Sequence, residues 1–346
     1  MRVRRLKSGS VVYGSLPEGC RLCQQGLKTV VFLTGKCPAS CFYCPLSSER
    51  KNKDLVFINE KLADQDNLRT ALAAEVLRSA SLGVSFTGGE PLLKHKLVVE
   101  LTVFLKSRFS KRFHIHVYTS GISLTPRIVE ELADSGLDEL RVHAPLSRLE
   151  AALKTMRNIA GDFRLGLEYP SLPGAYEQMV ELLDIAEKYE LDFIILNELE
   201  FTETNAPSLL LRGFTMREDY RAARGSGEEA LKVIEEAERR KTAVSVHFCP
   251  VKVKDSYQTA LRTYRYSTLV ALPYQLVTDE GTSLELVYSS SSEGSSVLNL
   301  YPRGRAPIFY DEAVEEGSIV ERSLVLGGLP LEETPIRRTA GREAGS

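Results

Sequence analysis

The sequence predicts an α/β chain built on a parallel sheet, and two observations carry that prediction. Apolar, β-branched strand patterns alternate with helical ones through the middle of the chain. After the second strand, strand starts recur roughly every 25–30 residues, the length of a strand–helix unit. Such a series gives parallel strands joined by right-handed crossovers. Six units suit a partial TIM-like barrel or an open doubly wound sheet, and periodicity alone does not separate them.

The elements follow in order. TVVFLTG from Thr29 is β-branched and aromatic and reads as the first strand. GVSFTGG from Gly83, FHIHVYTSG from Phe113, DELRVHA from Asp138, FRLGLEYP from Phe163 and DFIILNELEF from Asp192 read as the next five. Helical periodicity fills the gaps in DNLRTALAAEVLRSA, TPRIVEELADSG and AYEQMVELLDIAEKY. Thr125 is the expected N-cap of the helix at Pro126, and Gly136 its end. After the sixth unit come a helix to about Arg240 and a strand ending at Cys249. PYQLVT and LELVYSS flank DEGTS, a hairpin signal, and SSSSEGSS reads as a flexible loop. The expected divisions are an N-terminal extension at 1–28, a core at 29–266, a small β-rich appendage at 267–328 and a disordered tail at 329–346.

Composition excludes some functions. With 346 residues, 43% hydrophobic content and a net charge of −2, nothing global predicts nucleic-acid or membrane binding. Two local basic patches, Lys94 to His116 and Arg212, Arg217, Arg221 and Arg224, read first as solvated surface. No apolar run approaches the ~20 residues a membrane span needs. The N-terminus is basic but lacks a signal-peptide core, so a soluble, cytoplasmic protein is expected. Neither G-x-G-x-x-G after the first strand nor a Walker-type loop occurs, against a dinucleotide fold or a P-loop NTPase.

Five of the six cysteines fall between Cys20 and Cys44. Clustered cysteines in a large intracellular chain more often bind metal than form disulfides. Cys37, Cys41 and Cys44 follow the first strand directly, in a C-x3-C-x2-C spacing. Three thiolates bind three irons of a cubane and leave the fourth open to a ligand; an electron-transfer cluster or a structural zinc would want four. A zinc loop completed by a distant residue is the competing reading.

This segment, GKCPASCFYCP, with Tyr43 before the last cysteine, resembles the radical S-adenosylmethionine (SAM) superfamily. Thr87-Gly88-Gly89-Glu90-Pro91, one unit downstream, resembles that family's GGE motif, which holds the amino group of the methionine part of SAM. Glycines let backbone approach a ligand closely, and Glu90 offers an acceptor to an ammonium. The likeness covers roughly Thr29 to Glu200. With GCRLC, LDELRVH and NELEFTETNA, the chain is similar to uncharacterised archaeal-type proteins related to pyruvate formate-lyase activating enzyme. The resemblance implies a partial (β/α)6 barrel, here with its small C-terminal β-rich appendage, a [4Fe–4S] cluster on Cys37, Cys41 and Cys44, and SAM. It implies an enzyme that cleaves SAM reductively to a 5′-deoxyadenosyl radical, with ferredoxin or flavodoxin as electron donor. It supplies no substrate: a protein glycine, another peptide and an RNA all stay open. A scaffold holding a structural zinc or Fe–S loop is the non-catalytic alternative.

Barrel active sites form at the C-terminal ends of strands. Those ends carry Thr119 and Ser120, suited to the ribose or carboxylate of SAM; Arg141 and His143, suited to SAM or substrate; Glu168, suited to the ribose or a substrate proton; and Asn197, Glu198 and Glu200. His143 has a structural alternative, and Glu198 and Glu200 have pairing with loop arginines. Cys20 and Cys23, with His247 and Cys249, could hold a zinc or a second Fe–S cluster; buried thiols are the plain alternative. Cys23 precedes the first strand and belongs near the lower face, whereas Cys249 ends a strand at the upper face. Such a site requires the N-terminal segment to fold upward, or the late strand to run antiparallel.

Overall fold

The computed structural model describes residues 1–157, 162–288, 301–302, 304–314 and 316–337. They fall into two compact units, residues 1–77 with 81–258, and 78–80 with 259 onward.

The first unit opens with a hairpin, β1 (Val3–Arg5) and β2 (Val11–Tyr13), and a short helix, α1 (Glu18–Gln24). Then come β3 (Lys28–Phe32), the short β4 (Phe57–Ile58) and β5 (Lys61–Leu62), and α2 (Leu68–Arg78). The alternation continues as β6 (Gly83–Thr87), α3 (His95–Phe109), β7 (His114–Thr119), α4 (Pro126–Asp134), β8 (Glu139–Val142), α5 (Leu146–Arg157), β9 (Arg164–Ser171), α6 (Tyr176–Lys188) and β10 (Phe193–Glu198). It closes with α7 (Ala206–Leu210), α8 (Ser226–Arg240), β11 (Ser245–Cys249) and α9 (Val251–Val253). Every strand read from the sequence is present. Thr125 caps α4, its side chain accepting from the Ile128 N–H, and Gly136 follows that helix at φ +85°.

The sheet order is β1-β2-β11-β10-β9-β8-β7-β6-β3-β4-β5, and β3 with β6 to β11 are parallel. Seven strands laid flat would span about 29 Å. Helix α1, about 10 Å long, nevertheless packs on β3, β6 and β7. Its Cys20 also meets Phe193 and Ile195 of β10, and its Gln24 amide lies 3.4 Å from His247 of β11. The sheet therefore curls around α1, as a partial barrel with a helix inside. Alternation along the strands does the sorting: Ile115, Val117, Leu140, Val142, Leu165, Leu167, Ile194, Leu196 and Val246 point outward into the main apolar core with the helices.

Most inward positions are polar, and several are buried around α1 beside Phe193 and Ile195. Arg141, 2% exposed, donates to Glu139 (2.6 Å), Glu168 (2.9 Å) and the Tyr118 hydroxyl (3.1 Å). Lys28 meets His114 at 2.6 Å, and His114 meets Glu139 at 3.3 Å. His116 is fully buried with both ring nitrogens lacking a partner among the described residues. Burial, with the Arg141 and Lys28 charges, holds His116 well below the ordinary imidazole range, and burial also lowers His114. Because folding depresses these histidines, the unfolded chain takes up their protons first. Their full contribution to stability is present above the unfolded value near pH 6.5 and is lost as pH falls below it, approaching ~1.4 kcal/mol per pH unit for each histidine. Urea midpoints are therefore expected to drop between pH 7.5 and pH 5.5, less steeply in His116→Phe. A wild-type profile that is flat over that interval contradicts the neutral, dry environment described for these rings.

The second unit contains α10 (Ala260–Val270), β12 (Leu276–Val277), β13 (Ser283–Tyr288), β14 (Arg305–Ala306), β15 (Glu316–Ser323) and β16 (Leu329–Arg337). Its antiparallel sheet runs β12-β13-β15-β16, with β14 on β13. The β12–β13 hairpin stands where DEGTS signals it. Two boundaries differ from expectation. A helix crosses Ser267, and the main segment of this unit runs from Thr259. Leu329–Arg337, expected in the disordered tail, is an edge strand paired with β15; its Pro330 and Pro335 are tolerated because one side of an edge needs no ladder bonds. SSSSEGSS and residues 338–346 lie outside the described residues. Among those described, no helix is long and apolar enough to cross a membrane.

Candidate active site

The loop after β3 carries Cys37, Cys41 and Cys44, all free and partly exposed. It closes on itself through Gly35, whose N–H donates to Lys53 O (2.7 Å) and whose O accepts from Asn52 N–H (3.0 Å). The thiols are near neighbours. Burial raises the Cys37 pKa, against a backbone hydrogen bond at Ala39, with Glu90, Cys41 and Cys44 adding to the rise; burial and Cys44 also raise Cys41. Among the described residues, no three His, Cys, Asp or Glu side chains are gathered as a single ion requires. A cubane spreads its ligands wider, one to each iron, and three thiols on one half-open loop fit it.

The glycine turn after β6 lies against the root of that loop. Gly89 N–H donates to Thr34 O (2.7 Å) and Glu90 N–H to Lys36 O (2.8 Å). The contact leaves no room for side chains: a Cβ on Gly88 would stand 2.4 Å from Thr34 O, and one on Gly89 2.4 Å from Lys36 O.

Glu90 is fully buried. Its carboxylate accepts from Leu92 N–H (3.0 Å), the Thr119 hydroxyl (3.0 Å), Ser120 N–H (2.7 Å) and the Ser120 hydroxyl. It thereby caps the 3-10 turn Pro91–Lys94 and ties the end of β6 to the end of β7. Thr119 and Ser120 spend their hydroxyls on Glu90. Glu90→Gln puts an NH2 donor among these donors and is expected to cost about 1–3 kcal/mol, read as a lower denaturation midpoint. An unchanged midpoint would count against the bonding described.

Tyr43 joins the cysteine loop to the barrel. The His143 Nδ1–H donates to Glu168 O (2.7 Å), which leaves Nε2 to accept from the Tyr43 hydroxyl (2.8 Å). Burial lowers the His143 pKa, consistent with a neutral ring, and the ring stacks on Tyr169. Asn205, missed from the sequence, holds the loop from the other side. It is 2% exposed, and its amide donates to Tyr43 O (3.1 Å) and Glu200 O (2.9 Å). Thr204 donates to Leu46 O (2.6 Å). The signal was the polar TETNA run after the sixth strand, a loop whose hydroxyl and amide groups need partners. A cavity of about 230 Å³ opens beside Phe42 and Tyr43, lined also by Ala144, Pro145, Tyr169 and Pro170.

Arg141 and Glu168 are brought together, but they face the interior. Glu168 accepts from Arg141 and from Asn197 (2.8 Å). Glu198 accepts from Val251 N–H (2.9 Å) with Arg217 at 3.9 Å, and Glu200 pairs with Arg221 (3.0 Å) and Lys254 (3.6 Å). Several members of both basic patches are ion-paired. Arg217 also meets Asp219, Arg221 meets Asp255 and Arg224 meets Glu218, while Lys94 meets Asp54 and Lys106 meets Asp138. Arg212 lies over the Phe42 ring.

Known proteins resemble this chain. The family model of the radical SAM superfamily matches residues 31–144. The "Putative glycyl-radical enzyme activating enzyme MJ0021" of Methanocaldococcus jannaschii is 36% identical over 282 residues, 79% of this chain and 73% of that protein. GTP 3′,8-cyclase 2 of Mycobacterium tuberculosis is 36% identical over 122 residues, 35% of this chain and 31% of the cyclase. Among solved structures, Streptococcus suis SuiB bound to its precursor peptide SuiA is matched with a TM-score of 0.48 at 14% identity, over 67% of this chain and 51% of SuiB. By the archaeal relative and the family model together, the chain belongs to the radical SAM superfamily, and it is an enzyme whose cofactors are a [4Fe–4S] cluster and SAM.

Proposed function

We propose that this enzyme cleaves SAM reductively and uses the resulting radical to abstract hydrogen from a protein or peptide substrate. The observation that carries the reading is the Gly88-Gly89-Glu90 turn bonded to residues 34–36, one step from Cys37. Cys37, Cys41 and Cys44 would hold the cluster. When bound, the cluster and SAM supply the electron and the 5′-deoxyadenosyl radical that does the abstraction. The chain's own part is to orient and to shield. The backbone of Gly88 and Gly89 offers close approach to the methionine end of SAM, with Glu90 fixed behind it. Tyr43, braced by His143 and Asn205, sets the attitude of the last cysteine. Ferredoxin or flavodoxin is the proposed electron donor.

The likeness to an activating enzyme supports a protein substrate. A phosphate-bearing substrate is less well supported: Arg217, Arg221 and Arg224 are each paired to carboxylates and are not free to neutralise phosphates. The test is anaerobic reconstitution with iron and sulfide, then dithionite and SAM, with 5′-deoxyadenosine as the readout. Formation of the nucleoside supports the reading. None from protein carrying its full iron overturns it.

A further inference from the structure

We propose that Cys20, Cys23 and Cys249 bind a second iron–sulfur cluster inside the barrel, separate from the one at the loop of residues 37–44. β11 runs parallel to β10, with Cys249 opposite Asn197, so Cys249 stands at the upper face. The N-terminal segment folds into the barrel to meet it. Cys20 and Cys23 are three apart on α1 and so share one side of that helix. Cys20 is 6% exposed and packs with Cys249, Phe193 and Ile195. Cys23 lies one turn along α1 from Cys20, and Cys249 packs against the apolar cluster that Cys20 belongs to.

The thiols touch Phe193 and Ile195 on one side and polar groups on the other. Arg141 Nη2 donates to Cys20 Sγ at 3.4 Å, and Lys28, Glu139 and Glu168 lie in the same interior. One inward position before Cys249 on the same strand is His247. It is 1% exposed, and its Nδ1 has no partner among the described residues. Imidazole replaces thiolate in some Fe–S sites, so His247 is the candidate fourth ligand. The group is a cluster and not zinc. Tetrahedral zinc needs its ligands within about 4 Å of one another, and no such gathering exists among the described residues. The same is true of Cys37, Cys41 and Cys44, in a superfamily whose cofactor is a cubane.

Iron and sulfide counts on the full chain, reconstituted anaerobically, test this without recourse to activity. Two cubanes give about eight irons per chain, and loss of either gives about four. The expected results are about eight in the wild type and about four in the Cys37→Ala/Cys41→Ala/Cys44→Ala variant. That variant should also keep a dithionite-reduced EPR signal that SAM does not perturb. The Cys20→Ser/Cys23→Ser/Cys249→Ser variant should likewise hold about four, with a signal that SAM does perturb. About four irons in the wild type and none in the Cys37/Cys41/Cys44 variant overturns the proposal, whatever the fate of the other variant. So does stoichiometric zinc in place of the second cluster. Failure to form 5′-deoxyadenosine would bear on the proposed function alone, because the count does not depend on SAM chemistry.

Discussion

Replacing Cys37 with alanine is expected to abolish 5′-deoxyadenosine formation while the protein stays folded. The thiol is partly exposed at a loop and fills no place in the apolar core. Its loss should therefore change stability by no more than about 0.5 kcal/mol, as for surface changes away from special features. Chemistry is a different matter. Two remaining thiolates hold a cubane poorly, and an iron that loses its ligand no longer fixes the position of its neighbour. The expected rate loss is at least about a thousand-fold, equivalent to ~4 kcal/mol of barrel-supplied stabilisation. Nucleoside formation and iron content are measured beside a thermal melt. A variant that melts like the wild type, carries little loop iron and makes no nucleoside is the expected result. A variant retaining a tenth or more of the rate would remove Cys37 from the site.

How much of this was legible in the sequence depends on what each signal rests on. The parallel strands were legible because each sends a β-branched or aliphatic row into the apolar core with the helices, at the period of two that marks a strand. The cysteine spacing and the Gly-Gly-Glu turn were legible because both are local. Helix α1 was not: with seven residues and a polar interior around it, it carries no apolar stripe that periodicity detects. Its position also resolves the geometric objection to a site shared by Cys23 and Cys249. Roles that depend on a distant partner were hidden as well. Glu90, Thr119 and Ser120 each suggest a ligand contact when read singly, yet they first bond one another. Arg141 suggests a mouth residue and is buried between Glu139, Glu168 and Cys20. Edge strand β16 has a polar, proline-containing sequence that composition assigns to disorder; only its ladder with β15 shows otherwise.

The second large effect is expected at the glycine turn, through the backbone. Gly88 adopts φ +148°, a region side chains disfavour. A Cβ on Gly88 would sit 2.4 Å from Thr34 O, and one on Gly89 2.4 Å from Lys36 O and 2.8 Å from Lys36 C. These are backbone atoms, which cannot swing aside as a side-chain end can. Thr34 O and Lys36 O are also the acceptors of the two bonds that seat the turn. An added methyl therefore pushes the turn off the loop and breaks its seating together. Gly89→Ala is expected to cost about 3 kcal/mol or more in stability, combining overpacking with lost buried hydrogen bonds. Whatever folds should bind SAM at least about tenfold more weakly, since the turn no longer faces the cluster corner. Gly136→Ala supplies the comparison. Unlike Gly89 it has a positive φ, +85°, but a Cβ there meets nothing nearer than 3.8 Å, so its cost is the backbone term alone, about 1 kcal/mol. Denaturation midpoints and calorimetric SAM affinities for the two variants separate steric seating from simple backbone strain. If Gly89→Ala were no less stable than Gly136→Ala and bound SAM as the wild type does, the turn would not be seated on the cysteine loop at all.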